Sequence, residues 1–578
     1  MSPAYIEALP KGRHQLVVHD SDGKNRPFFC LPAEINNSSF SDPSYISTAF
    51  PRLKKHGFNT LLCGVGWEQI EPTEGDFSFK RIDACIQTAR EEGLRLVLLW
   101  FGAFKNGQSQ YAPSWVKRNP SRFPRVMAKP SLLPLEILSV FHDTTSTAEA
   151  RAFSRLMRHL KETDEEYGTV IMVQVENEVG VLEDSRDRSR AAQEAFDSEV
   201  PDLLARFLTD EWETLHPALR GNLDTFKRYA KEGPSHPSWP QLFGESDQTD
   251  EIFMAYHYAR YVETIASAGK KEYGLPMFTN AWLRSDQTEV KDDNQGGTAP
   301  SVLVTNGTRP GEYPSGGPIE TVLDIWQLVA KSLDFLSPDC YFQDYERTCA
   351  NFSHRSQALF IPEQRADSVG AIRIWEAIGT FGALSASPFG IDSVPDELNG
   401  FPPHLELLNR VGPIILRARQ LGQSMRGFYF DEYEKDSADP SVPKRFAMGD
   451  WNVLVERAFV CGHPAAGYGM IIQIEHDRFL LIGAGFQVKI TPSDPDAFIF
   501  GIASCQEKQV VESDTGSDTE FTLETLRWLN GDETRQGGYT VMPTESPDYG
   551  DVPIAMSIPA RTKIAECQPY VVKDKVRE

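Results

Sequence analysis

The chain has 578 residues with a formal net charge of -24, and 40% of its residues are hydrophobic and 24% charged. These proportions are typical of a globular protein and exclude a coiled coil, a collagen and a disordered chain. No apolar run approaches the roughly 20 residues that a membrane helix needs, so we expect no membrane partner. The acidic balance argues against a nucleic-acid partner, because binding to phosphates needs clustered Lys and Arg.

The N-terminal segment and the cysteines indicate the compartment. The first 20 residues lack the basic and apolar regions of a secretory signal, so we expect a cytoplasmic protein, with secretion by another route left open. The eight cysteines are scattered without a CxxC motif, and several lie in apolar runs, as Cys63 does in NTLLCGVGW. This pattern predicts buried free thiols. The composition is compatible with a homo-oligomer.

Eight short apolar runs, each bounded by turn or polar residues, predict β-strands. They cover residues 28–35, 59–65, 95–102, 169–178, 275–282, 333–342, 358–364 and 382–390. Helical patterns lie between them, as in 51–57 and 80–93. Gly57 and Gly93 stand at the ends of these two patterns, where a helix C-cap favours glycine. Strands that alternate with helices eight times predict a (β/α)8 barrel, a TIM barrel of the α/β class.

The character of the sequence changes after Met425. A helical pattern over 404–423 closes the predicted barrel, and the strand patterns that follow are not separated by long helices. We therefore predict a catalytic barrel over 1–425 and an all-β, sandwich-like accessory domain over 426–578. The candidate strands of this domain are 426–433, 451–460, 468–490 and 498–513. Within the barrel, we expect the polar stretch 183–250 to be a set of helical and loop insertions over the mouth, and 292–318 to be a long loop.

Two glutamates stand at the ends of predicted barrel strands. Glu178 ends the run VIMVQVENE, where partial burial raises the pKa of a carboxyl toward the range of a general acid. Glu363 ends the run ALFIPE, and we expect Arg365, two residues further on, to help keep it ionised. Two carboxylates that flank one bond are what glycoside hydrolysis requires. The alternative is that each belongs to a structural ion pair.

Several stretches resemble a known group of enzymes. VQVENEVG with Asn177-Glu178, LFIPEQR with Glu363, and GVGWEQIEPTEGDFSF resemble clan A glycoside hydrolases, in particular β-galactosidase families 35 and 42. The resemblance spans about residues 14–420, and the finer likeness is to family 35 members with an extra C-terminal β domain. It implies that Glu178 is the acid/base, that Glu363 is the nucleophile, and that the mechanism is retaining.

Further candidates for substrate-binding residues lie at or just after strand ends. Asn177 has an amide suited to a sugar hydroxyl, and by the resemblance a Tyr at position 341 hydrogen-bonds the nucleophile. For the others a capping, loop or core role stays open. The predicted set is Glu34, Asn37, Trp100, Asn106, Asn177 and Tyr341. The 12 His show no HExxH motif or paired spacing, so we predict no catalytic metal and no cofactor.

The function that these observations favour is a retaining exo-β-glycosidase, specifically a β-D-galactosidase acting on an oligosaccharide or glycoside. One alternative is a related β-glycosidase or transglycosylase, such as a β-glucoside-specific enzyme. A second alternative, from another functional class, is an inactive carbohydrate-binding protein on the same scaffold.

Overall fold

A computed structural model describes residues 3–19, 23–232, 236–285, 307–432, 439–458, 465–512, 521–544, 550–553 and 561–573. Its first thirteen strands form an N-terminal sheet, a barrel and one isolated hairpin. They are β1 (Tyr5–Leu9), β2 (Arg13–His19), β3 (Asn25–Phe28), β4 (Pro32–Glu34), β5 (Thr60–Gly66), β6 (Arg95–Phe101), β7 (Arg125–Ala128), β8 (Leu133–Leu138), β9 (Val170–Val175), β10 (Met277–Trp282), β11 (Phe335–Cys340), β12 (Ile361–Gln364) and β13 (Ala386–Pro388).

Eight of these strands form one parallel barrel. Their order is β4, β5, β6, β9, β10, β11, β12, β13, and a parallel bridge between Glu34 and Phe389 closes the sheet on itself. Each coincides with one of the eight apolar runs, with only β5 extending one residue beyond its run, so the predicted (β/α)8 barrel is confirmed. The three strands β1 to β3, which sequence analysis did not assign, form a separate antiparallel sheet before the barrel.

The helices of the described residues fill the intervals between the strands. They are α1 (Pro43–Lys55), α2 (Trp67–Ile70), α3 (Lys80–Glu91), α4 (Ser114–Lys117), α5 (Asp143–Asp164), α6 (Arg190–Asp197), α7 (Asp202–Asp210), α8 (Pro217–Gly221), α9 (Asp224–Glu232), α10 (Trp239–Phe243), α11 (Asp247–Glu272), α12 (Leu323–Val329), α13 (Tyr345–Phe352), α14 (Ser368–Gly379) and α15 (Pro402–Gln420).

The first helix is longer than its pattern predicts. The side chain of Asp42 accepts hydrogen bonds from the backbone N–H groups of Ser44 and Tyr45, and Pro43 occupies the first turn, where a proline is tolerated. The predicted segment 51–57 is therefore only the second half of α1. The helix stops before Gly57, whose φ of +97° is favourable for glycine alone.

The polar stretch after β9 is helical, as predicted, but its position differs from the prediction. It contains helices α6 to α10, of which α7 contacts α12 and α10 contacts α11. These helices pack against the outer layer of the barrel, and none of their residues lines the catalytic cavity described below. The other predicted loop, 292–318, lies outside the described residues up to position 306. Its remainder reaches the barrel through a bridge between Val181 and Ser315.

The C-terminal region is a sandwich of two antiparallel sheets. One has the order β14, β17, β18, β23, β20, β21, and the other β15, β16, β19, β22. The predicted run 468–490 is three strands rather than one. The strands are β14 (Met425–Phe430), β15 (Lys444–Met448), β16 (Trp451–Arg457), β17 (Gly467–Glu475), β18 (Arg478–Ala484), β19 (Phe486–Pro492), β20 (Ala497–Glu512), β21 (Phe521–Trp528), β22 (Thr540–Met542) and β23 (Ile564–Lys573).

One face of the larger sheet is buried against the barrel. Strands β14 and β17 contact α14, and apolar side chains of the sheet, among them Met470, Ile472 and Leu480, belong to the same hydrophobic cluster as the barrel core. The second face packs on the smaller sheet around Trp451 and Phe486. Since burial of apolar surface is the main stabilising contribution, the barrel and the sheet stabilise each other.

Two smaller predictions concern the thiols and the membrane. The seven described cysteines are all buried and free, which confirms the prediction for them, and Cys461 lies outside the described residues. Across the described ranges, no helix has the length and apolar character needed to cross a lipid bilayer.

Candidate active site

A cavity of about 550 Å³ opens at the carboxyl ends of the barrel strands. It has a polar floor that includes Glu178 and Glu363, and apolar walls such as Trp282 and Phe389. The complete lining is Asn37, Lys105, Asn106, Gln108, Gln110, Tyr111, Glu178, Leu182, Trp282, Leu283, Asp339, Tyr341, Glu363 and Phe389. The volume is that of a pocket for a small organic ligand.

Glu178 is held in a strained turn after β9. Glu176 and Glu178 have φ values of +61° and +47°, which non-glycine residues adopt rarely and which concentrate at functional sites. The Glu178 backbone N–H donates to Oδ1 of Asn280 at 3.0 Å, and Nδ2 of Asn106 donates to Glu178 Oε2 at 2.8 Å. These two contacts fix the direction in which the carboxyl enters the cavity.

Both oxygens of Glu363 are held by donors from neighbouring strands. The Tyr341 hydroxyl donates to Oε2 at 2.9 Å, and Nδ2 of Asn177 donates to Oε1 at 3.2 Å. Nδ2 of Asn280 lies 3.4 Å from the same Oε1. These donors fix the orientation of the Glu363 carboxyl at the floor of the cavity.

The carboxyls of Glu178, Asp339 and Glu363 form a compact group, since one oxygen of each lies within 4.8 Å of the others. Burial and then the charge of Glu363 raise the pKa of Glu178 to about 7. Burial, followed by the charges of Glu363 and Glu178, raises the pKa of Asp339 well above its usual value, and its Oδ2 accepts a hydrogen bond from Nδ2 of Asn280 at 2.6 Å.

The cation beside the nucleophile candidate is Lys105, and the expected role of Arg365 is wrong. Lys105 Nζ lies 3.8 Å from Oε1 of Glu363, and its side chain is almost completely buried. Burial lowers the pKa of Lys105, but Glu363 and Glu178 overcome that effect and raise it. Arg365 instead forms an ion pair with Asp367 at 2.6 Å, which caps α14.

The predicted substrate-binding residues divide into two groups. Asn37, Asn106 and Tyr341 line the cavity. Asn177 and Glu34 have no exposed surface, and neither is part of the lining. Asn177 contacts Glu363, as described above, so the structure assigns it to holding that carboxylate.

Glu34 is a fourth buried carboxyl, close enough for the charges of Glu363 and Glu178 to affect it. Within the described part of the chain, neither of its side-chain oxygens has a partner. Burial, followed by the charge of Glu363, raises its pKa well above the usual value. Burial beside Glu363 therefore disfavours the charged form of Glu34, and Lys105 opposes that effect.

Trp100 does not line the cavity, so its predicted role as a wall of the site is wrong. Its side chain is fully buried, its ring packs against Phe153, and its indole N–H donates to Glu149 Oε1 at 2.9 Å. At the end of β6 the side chain points outward, between the barrel and helix α5. Side chains along a strand point alternately into the barrel and out toward the helices. An aromatic residue at a strand end can therefore point either way, and the register of the strand decides which.

The network around Trp100 supports the loop that carries Lys105 and Asn106. Glu149 accepts from the Tyr261 hydroxyl at 2.6 Å, and Glu176 accepts from the backbone N–H groups of Ala103 and Phe104 at 3.1 and 2.9 Å. Burial and the neighbouring Glu149 raise the pKa of Glu176 well above its usual value. The strained turn thereby positions the loop after β6.

The carboxyls of Glu178, Asp339 and Glu363 also have the arrangement of ligands in a metal site. Three carboxylates so close together are a set of oxygen ligands for a cation. The ammonium of Lys105 already supplies positive charge at this position, which opposes the binding of a divalent ion. The absence of a catalytic metal stays a prediction.

Comparison with known proteins places this site in a family context. Residues 40–220 match the family model Glyco_hydro_42, described as Beta-galactosidase, and residues 401–539 match DUF5597, a domain of unknown function. The first match includes Glu178 and ends before Glu363. The matching model is that of family 42, so the finer resemblance to family 35 remains a prediction.

Solved structures similar to this chain include a β-amylase catalytic domain from Paenibacillus polymyxa. It has 14% identity and a TM-score of 0.43, over 65% of this chain and 97% of that one. A β-galactosidase from the psychrophilic Marinomonas ef1 has 13% identity and a TM-score of 0.43, over 68% of this chain. A GH42 β-galactosidase from G. stearothermophilus has 16% identity and a TM-score of 0.39, over 63% of this chain. The chain spans about 60% and 51% of these two β-galactosidases. No curated protein matches the sequence.

Sequence analysis assigned no role to Lys105, Asn280 or Asp339. A signal for Asp339 was present. Ser337, Asp339 and Tyr341 stand at alternate positions, so a Tyr341 that points into the barrel implies an Asp339 that does the same. Lys105 follows β6 in an irregular loop, where no periodicity indicates direction.

Proposed function

We propose that the protein is a retaining exo-β-glycosidase, most directly a β-D-galactosidase, with Glu178 as acid/base and Glu363 as nucleophile. The observation that carries this proposal is the proximity of the two carboxyls, since one oxygen of Glu178 lies within 4.8 Å of one oxygen of Glu363. Retaining enzymes need about 5–5.5 Å between the carboxyl groups, whereas inverting enzymes need about 6.5–9.5 Å to admit a water. A cavity rather than an open cleft favours action at a chain end.

The first step transfers the sugar to the protein. Glu178, with a pKa of about 7, carries a proton at neutral and lower pH and donates it to the glycosidic oxygen as the bond to the leaving group breaks. Glu363, ionised and held by Tyr341 and Asn177, attacks the anomeric carbon and forms a glycosyl ester.

The second step reverses these roles. Esterification removes the negative charge of Glu363, one of the two causes that raise the pKa of Glu178. The pKa of Glu178 then falls, so its carboxylate can take a proton from water. The water oxygen attacks the anomeric carbon, the ester to Glu363 breaks, and the product leaves with its original configuration.

A panel of nitrophenyl glycosides tests this function. We expect cleavage of the β-D-galactoside, with kcat/KM at least about tenfold above that of the β-D-glucoside, and no cleavage of α-anomers. A preference for the β-glucoside would favour the first alternative. No cleavage of any β-glycoside, together with binding of free sugars, would show that the scaffold only binds carbohydrate.

Lys105→Gln should change the pH profile. Lys105 stabilises the charged form of Glu178, so its removal raises the pKa of Glu178 further. Because Glu178 must start protonated, the alkaline limb of kcat/KM, near pH 7 in the parent protein, should move to higher pH. Loss of the ammonium beside Glu363 should lower kcat/KM on the order of 10²-fold.

Arg365→Gln is the matched control for this prediction. Arg365 lies two residues from Glu363 but pairs with Asp367, so the limb should stay in place. The pH dependence of kcat/KM for a nitrophenyl substrate measures both variants. A shift in the control and not in Lys105→Gln would contradict the assignment of the cation.

Chelators should leave activity unchanged. The two carboxylates suffice for the double displacement, and Lys105 supplies the positive charge at the carboxylate group. The measurement is the initial rate before and after dialysis against EDTA. Loss of activity that a divalent ion restores would identify the group Glu178, Asp339 and Glu363 as ligands.

A further inference from the structure

A second cavity, of about 460 Å³, lies at the opposite end of the barrel from the carboxylates. Three segments enclose it: the turn between β1 and β2, the loops that lead into β12 and β13, and the link from α15 to β14. The turn approaches the loop before β12 closely, since a Cβ on Gly12 would lie 3.1 Å from Oγ of Ser356. The cavity is thus formed where the N-terminal sheet, the barrel and the C-terminal domain meet.

The charged groups that line this cavity are all basic. They are Lys11, Arg13, His14 and Arg426, and no Asp or Glu is among the lining residues. Arg13 donates to the sulfur of Met425 at 3.6 Å and Arg426 to the carbonyl oxygen of the same residue at 2.9 Å. Lys11 donates to the Gly422 carbonyl oxygen at 2.6 Å. Among the residues that the structure describes, none of these cations is paired with a carboxylate.

A further cation lies behind the lining. Arg419 is 1% exposed, donates to the carbonyl oxygen of Ala383 at 2.6 Å, and has an Nε without a partner in the described structure. Burial and then the charge of Arg419 lower the pKa of His14, and burial and then the charge of Arg426 lower the pKa of Arg13. The charges are therefore close enough to repel one another.

Positive charge without a counter-charge is unfavourable in a partly buried position, and a bound anion relieves it. This concentration of cations is unusual in a chain of net charge -24. The same overall charge repels long polyanions such as nucleic acid, which favours a small ligand. The cations come from two separate segments, Lys11 and Arg13 from the turn between β1 and β2 and Arg426 from β14. Together they suit the oxygens of a tetrahedral group better than a planar carboxylate, which a single Arg can bind.

We propose that this cavity binds a small organic phosphate or sulfate, of the size of a phosphorylated or sulfated sugar. Arg13, Arg426 and Lys11 contact the tetrahedral group, and the remaining volume, within the range of small-molecule pockets, takes the organic part. The site lies away from the catalytic cavity, and the proposal does not depend on the glycosidase function.

Thermal unfolding of the full chain tests the site, because a ligand that binds only the folded state raises Tm with concentration. The probes are inorganic phosphate, inorganic sulfate and glucose 6-phosphate, each against sodium chloride at equal ionic strength. We expect a saturable rise in Tm with all three, and tighter binding of glucose 6-phosphate. A rise no larger than in chloride would overturn the proposal, and equal affinity for phosphate and glucose 6-phosphate would contradict the sugar-sized ligand.

Two variants locate the binding. Arg426→Gln and the more exposed Lys11→Gln should each weaken glucose 6-phosphate binding by about tenfold or more, measured by calorimetry at 25 °C. Arg190→Gln is the control, since Arg190 is 92% exposed on α6 and pairs with Glu194. We expect Lys11→Gln to have little effect on folding. If Arg426→Gln is unstable, the affinity of Lys11→Gln alone decides the test. Unchanged affinity in Lys11→Gln, or an equal loss in the control, would place the ligand elsewhere.

Discussion

Replacing Glu363 by glycine should lower kcat for an activated aryl β-glycoside on the order of 10⁴-fold or more, a loss typical of removing a catalytic nucleophile. Without the carboxylate, no glycosyl ester can form. Tyr341 and Asn177 would lose the oxygens to which they donate, at 2.9 and 3.2 Å, but they leave a polar space of the right size for a small anion.

Azide in that space should restore turnover and give a glycosyl azide of inverted configuration, because a single displacement then occurs. Proton NMR of the product measures the configuration. Arg365→Gln, at the neighbouring surface position, is the control and should keep its parent rate without azide. A retained adduct from Glu363→Gly would show that the roles of the two glutamates are exchanged.

Glu178→Ala should have an effect that depends on the leaving group. Glu178 supplies the proton, so substrates with poor leaving groups should lose about 10²–10⁴-fold in kcat/KM. Dinitrophenyl glycosides need no proton and should still form the ester with Glu363. The alkaline limb that the Glu178 pKa of about 7 produces should disappear from the profile.

Azide should accelerate the second step of Glu178→Ala and give a product of retained configuration, since two displacements have occurred. The measurements are a series of leaving groups of known pKa and NMR of the adduct. Asn106→Ala, which removes a donor to Glu178 without removing the acid, serves as the comparison and should keep the alkaline limb. Uniform losses across the series in Glu178→Ala would contradict its role as the acid.

Most of the barrel could be predicted because each of its strands is buried on both faces and appears as a continuous apolar run. The eight runs coincide with β4 to β6 and β9 to β13. The N-terminal sheet was not predicted, since β1 is only five residues long and β2 has an apolar run of only three residues, 16–18. The sheet depends on pairing such as that of Leu16 with Phe28, which no local pattern encodes.

The two glutamates could be predicted because an acidic residue at the end of an apolar strand is conspicuous. The residues that contact these glutamates could not be predicted, because the contacts depend on the register in which neighbouring strands pair. Asp339 lies beside Glu363 in the pairing of β11 with β12, and Trp282 lies beside Asp339 in the pairing of β10 with β11. Arg365 is near Glu363 in sequence, yet Lys105, from a distant loop, is the cation in contact with it.

The central claim is that Glu363 forms a covalent bond with the sugar. An activated 2-deoxy-2-fluoro glycoside of the preferred sugar forms such an ester quickly and loses it slowly, so the adduct accumulates. Mass spectrometry of the intact chain and of its peptides should show one added fluorosugar, located on the peptide that contains Glu363. An adduct on Glu178, or complete turnover of a cleavable substrate with no adduct on any peptide, would contradict the account.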